Sequence, residues 1–204
     1  TDKVDPSIYH QEIKAAGPDA KKVAVIGAGP SGLTAANALS ALGYKVSIFE
    51  KEKKPGGMMV CAIPEYRLPR KKLSQEIEAL INSNIDLKLG VEFGKDMTAD
   101  SLLKEGYSAV YVATGCHKSK KMGIPGEDTE GVLPGIKFLK AYNLDQKEIA
   151  KGKVGIIGGG NSAVDAARVA IRQKDVTDVT IFYRRTRNEM PAYAEEIEAA
   201  LEEG

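Results

Sequence analysis

An α/β protein with two parallel strand–turn–helix–strand modules is what this chain predicts, and three observations carry that expectation. The first is a glycine fingerprint, Val23-Ala24-Val25-Ile26-Gly27-Ala28-Gly29-Pro30-Ser31-Gly32, after which Val46-Ser47-Ile48-Phe49 ends in Glu50. The second is a repeat of that plan, Val154-Gly155-Ile156-Ile157-Gly158-Gly159-Gly160-Asn161-Ser162-Ala163, after which Val179-Thr180-Ile181-Phe182-Tyr183 ends in Arg184-Arg185. The third is the helical spacing of small and apolar residues between the strands of each repeat. Two such modules imply right-handed parallel crossovers and Rossmann-like sheets.

Taken in order, Thr1 to Lys21 is a polar leader, read as a loop with room for one short helix. Lys22 to Ile26 is an apolar run bounded by glycine, as a buried parallel strand requires. Ser31 to Leu42 follows as a helix with Leu33, Ala36, Leu39 and Ala41 on one face, stopped by Gly43. Val46 to Phe49 is the next strand, and the Lys-, Gly- and Pro-rich stretch from Lys51 to Pro69 reads as loop. Pro69 to Asn82 places Leu73, Ile77, Leu80 and Ile81 on one helical face. Residues 85–89 alternate as a strand. Asp100 is placed to cap a short helix over 101–105. Residues 109–113 form another strand, ending at Thr114-Gly115. Residues 118–134 are turn-rich, and 135–143 suit a bridging helix. The second module repeats the plan with a strand from Lys153, a helix over 162–173, a strand over 177–183 and a closing helix over 191–203. The expected division is a leader (1–21), a first nucleotide module (22–118), a linker with bridging helix (119–152) and a second module (153–204).

The fingerprints predict ligands by elementary chemistry. A pyrophosphate reaches the N–H groups at a helix N-terminus only along a path free of Cβ atoms. Gly27 permits the tight turn, Gly29 the close approach, and Gly32 the packing of helix on strand. Glu50 stands where a carboxylate accepts from ribose hydroxyls. Gly158, Gly160 and Ala163 form the second turn, whose alanine is common in NADP-type sites. An acid at the end of the next strand would repel a 2′-phosphate, whereas the guanidinium of Arg184 or Arg185 can bind it with paired hydrogen bonds. The simplest pair of ligands is FAD on the first module and NADPH on the second.

Composition bounds the alternatives. The 204 residues are 43% hydrophobic, enough to bury a real core, and the formal net charge is +1. That balance gives no bulk electrostatic case for nucleic acid or an anionic membrane. No apolar run approaches a membrane span. The polar N-terminus is no signal peptide. Cys61 and Cys116 form no Cys-x-x-Cys pair, so they read as free structural thiols in a reducing cytoplasm rather than as a disulfide or a metal site. His10 and His117 are the only histidines, and each reads as a loop residue without a visible partner. Asp165 and Arg168 are spaced to pair across about one helical turn. The chain does not begin with Met and ends in Glu202-Glu203-Gly204, which suggests a piece of something longer.

Several further stretches carry a family resemblance. They are Gly-Gly-Met-Met at 56–59, Ile-Pro-Glu-Tyr-Arg-Leu-Pro at 63–69, Ala-Thr-Gly at 113–115, Gly-Gly-Gly-Asn-Ser-Ala-Val-Asp-Ala-Ala-Arg at 158–168 and Tyr-Arg-Arg-Thr-Arg-Asn-Glu-Met-Pro at 183–191. With the first fingerprint, in this order, they resemble the small (β) subunit of NADPH-dependent glutamate synthase and its relatives. Those relatives include the flavin segment of dihydropyrimidine dehydrogenase and the NADPH subunit of bifurcating transhydrogenases. The resemblance implies a two-nucleotide reductase of the FAD/NAD(P)-linked type. FAD would meet Gly27, Ala28, Gly29, Pro30, Ser31, Gly32, Glu50, Lys51, Gly56, Gly57, Met58, Arg67, Phe93, Ala113, Thr114 and Gly115. NADPH would meet Gly158, Gly159, Gly160, Asn161, Ser162, Ala163, Arg184 and Arg185.

The activity so implied is hydride transfer from NADPH to FAD, with electrons passed to an iron–sulfur or large-subunit partner. The cofactors carry that chemistry, so no acid, base or nucleophile is expected among the side chains, and no metal ligand. Relatives add an N-terminal cysteine-rich region for iron–sulfur clusters and a C-terminal flavin segment, both missing here, so the plan reads as cut short and inactive by itself. The competing expectations are another NAD(P)H-linked electron-input subunit, an NADH-specific enzyme, and a non-catalytic nucleotide-binding module.

Overall fold

The computed structural model describes residues 13–204; the start of the expected leader, with His10, lies outside the described residues. The chain divides into two compact units, Thr1–Val60 with Leu68–Gly115 and Cys61–Arg67 with Cys116–Gly204.

In the first unit a four-stranded parallel sheet runs in the order β3-β2-β1-β4. Its strands are β1 (Lys22–Ile26), β2 (Lys45–Glu50), β3 (Ile85–Leu89) and β4 (Tyr107–Val112). The helix α1 (Pro30–Ala41) connects β1 to β2, as a parallel crossover must. Proline suits the first helical position, because an N–H there has no intrahelical partner. Leu33 and Ala36 are buried beneath α1, but Ala41 is exposed and Ser40 takes the inward place. Residues 51–69 are not all loop: Met58–Cys61 form one helical turn, α2. Arg70–Leu80 form α3, with Leu73 and Ile77 buried as their spacing predicts.

The short helix α4 (Ala99–Lys104) is capped by Thr98, not by Asp100. The Ser101 N–H donates to the Thr98 side chain and the Thr98 N–H to the Ser101 hydroxyl, which settles both ends of the turn. Asp100 sits inside the first turn, where a negative charge suits the helix dipole. One face of the sheet is sealed by Ala24, Ile26, Phe49, Leu102 and Tyr107, with Phe93 packed against them.

In the second unit β5 (Gly152–Ile157) pairs in parallel with β6 (Val176–Phe182), joined by α6 (Asn161–Ile171). The helix α5 (Gly135–Asp145) precedes them, and Phe138 and Leu139 pack on Ala166, Val169 and Ala170 of α6. A short 3-10 turn (Arg187–Glu189) leads to α7 (Ala194–Glu202). The closing helix thus starts at Ala194 rather than Pro191. The backbone of 192–193 is occupied instead by hydrogen bonds to the glycine turn after β5.

The first module was expected to run unbroken over 22–118. Residues 61–67 and 116–118 instead join the second unit. Within the 61–67 segment, Arg67 finds its carboxylate partners on α6 and α7.

Candidate functional site

Sheet order locates the first candidate site. β1 lies between β2 and β4: the chain leaves β1 through α1 toward β2, and after β3 it crosses to the other side of β1 as β4, so the strand order reverses there and opens a crevice at the carboxyl ends of β1 and β4. The Gly27–Gly32 turn and Ala113-Thr114-Gly115 flank that crevice. The Gly27 N–H donates to Phe49 O (2.8 Å) and the Ala113 N–H to Ile26 O (2.8 Å), so each segment continues its ladder past the end of the strand.

Glu50 is buried and tied to the same turn. Its Oε2 accepts the Ala28 N–H at 2.7 Å and its Oε1 the Glu52 N–H at 2.9 Å. Each carboxylate oxygen keeps a further lone pair for a hydroxyl donor. The 56–57 turn is stapled beside it, with the Gly56 N–H donating to Ala28 O at 2.7 Å. A Cβ on Gly57 would come within 2.9 Å of the Gly29 Cα. Sequence spacing alone left that second turn undecided; the structure brings it against the first.

The glycines divide into two kinds. A Cβ on Gly27 would meet the Ala113 carbonyl oxygen at 2.5 Å, and one on Gly32 would collide with the Gly27 carbonyl oxygen. Packing alone demands these two. Gly29 differs, because a Cβ there would meet only the Gly57 Cα, at 3.9 Å. Packing therefore does not exclude a methyl group at Gly29, and the space beside it is open. It lies at the start of α1, whose first intrahelical bond is Leu33 N–H to Gly29 O (2.9 Å). The Ser31 and Gly32 N–H groups precede that bond and so have no intrahelical acceptor, the arrangement by which helix N-termini favour anions.

The second turn has the same division. Gly158 has φ of 143°, and a Cβ on Gly159 would strike the Tyr183 ring at 2.6 Å. A Cβ on Gly160, the residue that caps α6, would meet only Pro191 Cγ at 4.0 Å. Room is again left at the helix start. The Asn161 side chain is engaged locally: its Oδ1 accepts the Tyr193 N–H at 2.9 Å, while Gly159 O accepts the Ala192 N–H at 3.1 Å. Arg184, Arg185 and Arg187 follow β6 and are exposed. Among the described residues none of the three has a carboxylate partner in an ion pair. Ser162 is exposed and Ala163 lies close to Gly158.

Arg67, Asp165, Arg168 and Phe93 make contacts that spacing along the chain did not state. Arg67 donates through one terminal nitrogen to both Asp165 oxygens (3.0 and 2.9 Å) and through Nε to Glu196 Oε1 (2.8 Å). Asp165 therefore does not pair with Arg168. Arg168 bonds Glu196 and Glu203 instead, because α7 brings carboxylates alongside α6. Phe93 is half-buried and packs against the cluster that includes Phe49. Lys51, Thr114 and Gly115 are exposed, and Met58 is half-buried in α2. Cys61 is buried and Cys116 exposed, and no disulfide joins them. The Tyr111 hydroxyl, in hydrogen-bond contact with Ser31 Oγ (2.9 Å), had no signal in the sequence. Its approach to α1 depends on the β1–β4 register, which sets Val25 beside Tyr111.

Against this geometry, the family model for pyridine nucleotide-disulphide oxidoreductases matches residues 21–204. The chain belongs to that family. It is 49% identical over 187 residues to the "NADP(+)-dependent formate dehydrogenase subunit beta" of Moorella thermoacetica, covering 90% of this chain and 26% of that protein. It is 37% identical over 194 residues to the "Glutamate synthase [NADPH] small chain" of Halomonas elongata, covering 90% of this chain and 41% of that one. The chain thus spans well under half the length of these relatives. Among solved structures, Mycobacterium tuberculosis FprA in complex with NADPH matches with a TM-score of 0.75 at 24% identity, over 90% of this chain and 47% of that one. That likeness concerns the fold alone. No helix among the described residues is long and apolar enough to cross a membrane.

Proposed function

We propose that this chain is the nucleotide-binding part of a flavoprotein that takes electrons from NADPH through FAD and hands them to an iron–sulfur or large catalytic subunit. One observation carries the reading. Both units keep a glycine with open space at a helix start, Gly29 and Gly160, yet one turn is closed by a buried carboxylate and the other by exposed, unpaired guanidinium groups.

When bound, the cofactors supply the hydride chemistry, nicotinamide to flavin. The chain's own residues bind and orient. Ser31 and Gly32 offer N–H groups to a pyrophosphate, and Glu50 accepts from ribose hydroxyls while held by Ala28 and Glu52. Gly27, Gly56, Gly57, Met58 and the 113–115 segment complete the FAD cradle, with Lys51 at its rim. Gly158 to Ala163 form the NADPH turn, and Arg184 and Arg185 take the 2′-phosphate.

The terminal partner is the finer question. Identity of 49% to a formate dehydrogenase β subunit, against 37% to a glutamate synthase small chain, supports a general electron-input subunit, of which glutamate synthase is one version. Two cysteines that form no disulfide suit a reducing cytoplasm.

The test is an Arg184→Ala, Arg185→Ala double variant of the full-length protein. Loss of charge-assisted hydrogen bonds should raise KM for NADPH roughly 10- to 100-fold and leave NADH use unchanged. An unaltered preference would refute the assignment.

A further inference from the structure

We propose that Glu189 is a positioning residue for the 2′-phosphate: its carboxylate holds the loop that carries Arg184 and Arg185 in a fixed place against the glycine turn of the second unit. This rests on the NADPH reading of that unit.

The loop needs such a hold. Arg184, Arg185 and Arg187 stand close together in the chain and are exposed. Like charges so near one another repel, and a loop that is ordered only when its ligand arrives loses affinity to the cost of ordering. Affinity is kept where the backbone is fixed beforehand.

Glu189 fixes it just after the arginine pair. Its Oε2 accepts the Thr186 N–H at 3.1 Å and the Thr186 hydroxyl at 2.9 Å, while its own N–H donates to Thr186 O at 3.0 Å. This reciprocal box opens the 3-10 turn Arg187–Glu189 and closes the chain directly behind Arg185. Among the described residues no ion pair joins Glu189 to any of the three arginines, so their guanidinium groups stay open to an anion.

The same residue reaches the other side of the pair. Tyr183 precedes Arg184 and lays its ring against Gly159, where an added Cβ would strike the ring at 2.6 Å. The Tyr183 hydroxyl donates to Glu189 O at 3.0 Å. Beyond the box the chain returns to the same glycine, through Ala192 N–H to Gly159 O at 3.1 Å. Arg184 and Arg185 are thus bracketed by Tyr183 and Thr186, both bonded to Glu189, and the bracket is seated on the turn where a pyrophosphate would rest. It sets the span between the pyrophosphate and the 2′-phosphate.

Both Thr186 bonds fall on one oxygen of Glu189. A glutamine amide oxygen can accept both, so Glu189→Gln keeps the bracket and removes a negative charge from beside the arginines. Glu189→Ala removes the bracket.

The experiment is steady-state kinetics of the full-length flavoprotein with NADPH and with NADH. Glu189→Ala should raise KM for NADPH roughly tenfold with little change in kcat, as loss of a preorganised binding site does, and should leave KM for NADH unchanged. Glu189→Gln should keep the parent's KM for NADPH or lower it. Flavin content reports whether each variant has folded; should the alanine variant fail, Thr186→Val removes one of the two bonds and should give a smaller rise of the same sign. An unchanged KM for NADPH in Glu189→Ala, an equal loss with both nucleotides, or a glutamine variant as impaired as the alanine one would overturn the proposal. Failure of the underlying NADPH reading is separable, because Arg184→Ala with Arg185→Ala would then leave the nucleotide preference unaltered. Failure of this proposal alone leaves that double variant impaired and Glu189→Ala intact.

Discussion

Ala28 donates its N–H to Glu50 Oε2 across 2.7 Å, joining the turn that ends β1 to the acid that ends β2. The bond is buried, and the second oxygen of the same carboxylate holds the Glu52 N–H.

Replacing Glu50 with Gln sets an amide NH2 opposite one of these two N–H donors. A buried donor left without an acceptor costs about 1–3 kcal/mol. Urea unfolding of Glu50→Gln should shift by that amount. An unmoved midpoint would show that the two bonds contribute nothing to stability.

Gly29 and Gly32 should separate folding from binding. An alanine methyl at Gly32 collides with backbone oxygen, whereas at Gly29 it enters open space. Gly32→Ala should destabilise the first unit by several kcal/mol, as overpacking against a rigid backbone does. Gly29→Ala should melt near the parent temperature yet lose FAD affinity at least tenfold. Equal melting temperatures for the two variants would contradict the packing distinction.

Acid should probe α7. Glu203 bonds Arg168 and Arg172, and their guanidinium groups hold its carboxyl at about 2 instead of the usual 4.5. A carboxylate depressed in the fold stabilises above its unfolded pKa and loses that contribution as pH falls through its folded pKa. The stability that Glu203 supplies should therefore decline between pH 4.5 and about 2. The variant Glu203→Gln should unfold with a shallower pH dependence across that window. A curve parallel to the parent's would argue against the pairing.

Asn84 anchors the residues that lead into β1. Its Nδ2 donates to Lys14 O and Ser40 O, and its Oδ1 accepts the Ala16 N–H at 2.7 Å. Leucine at this position is similar in size but satisfies none of them. The loss should be about 1–3 kcal/mol, with faster hydrogen exchange at Ala16. Retained protection there would show that the segment is held by something other than Asn84.

Much of the fold was legible because strands and helix crossovers are written in short-range pattern. The apolar run at 23–26, the alternation at 85–89 and the glycines after β1 and β5 each act over a few residues. Misreadings occurred where two local signals competed. Thr98 and Asp100 are both cap formers, and the reciprocal bond with Ser101 decides for Thr98. The helical pattern after Pro191 is overridden by backbone bonds from Ala192 and Tyr193 to the glycine turn.

The sequence by itself determined the repeated strand–turn–helix–strand plan and the opposite charges that end its two halves, because backbone conformation and strand-end position follow from neighbouring residues. Only the tertiary structure decided that Arg67 bonds Asp165, that Asp165 leaves Arg168 to α7, and that Gly29 and Gly160 face open space while Gly32 and Gly159 do not. Those facts depend on which distant surfaces meet. A guanidinium takes the carboxylates that packing brings within reach, and no spacing along the chain states which ones they will be.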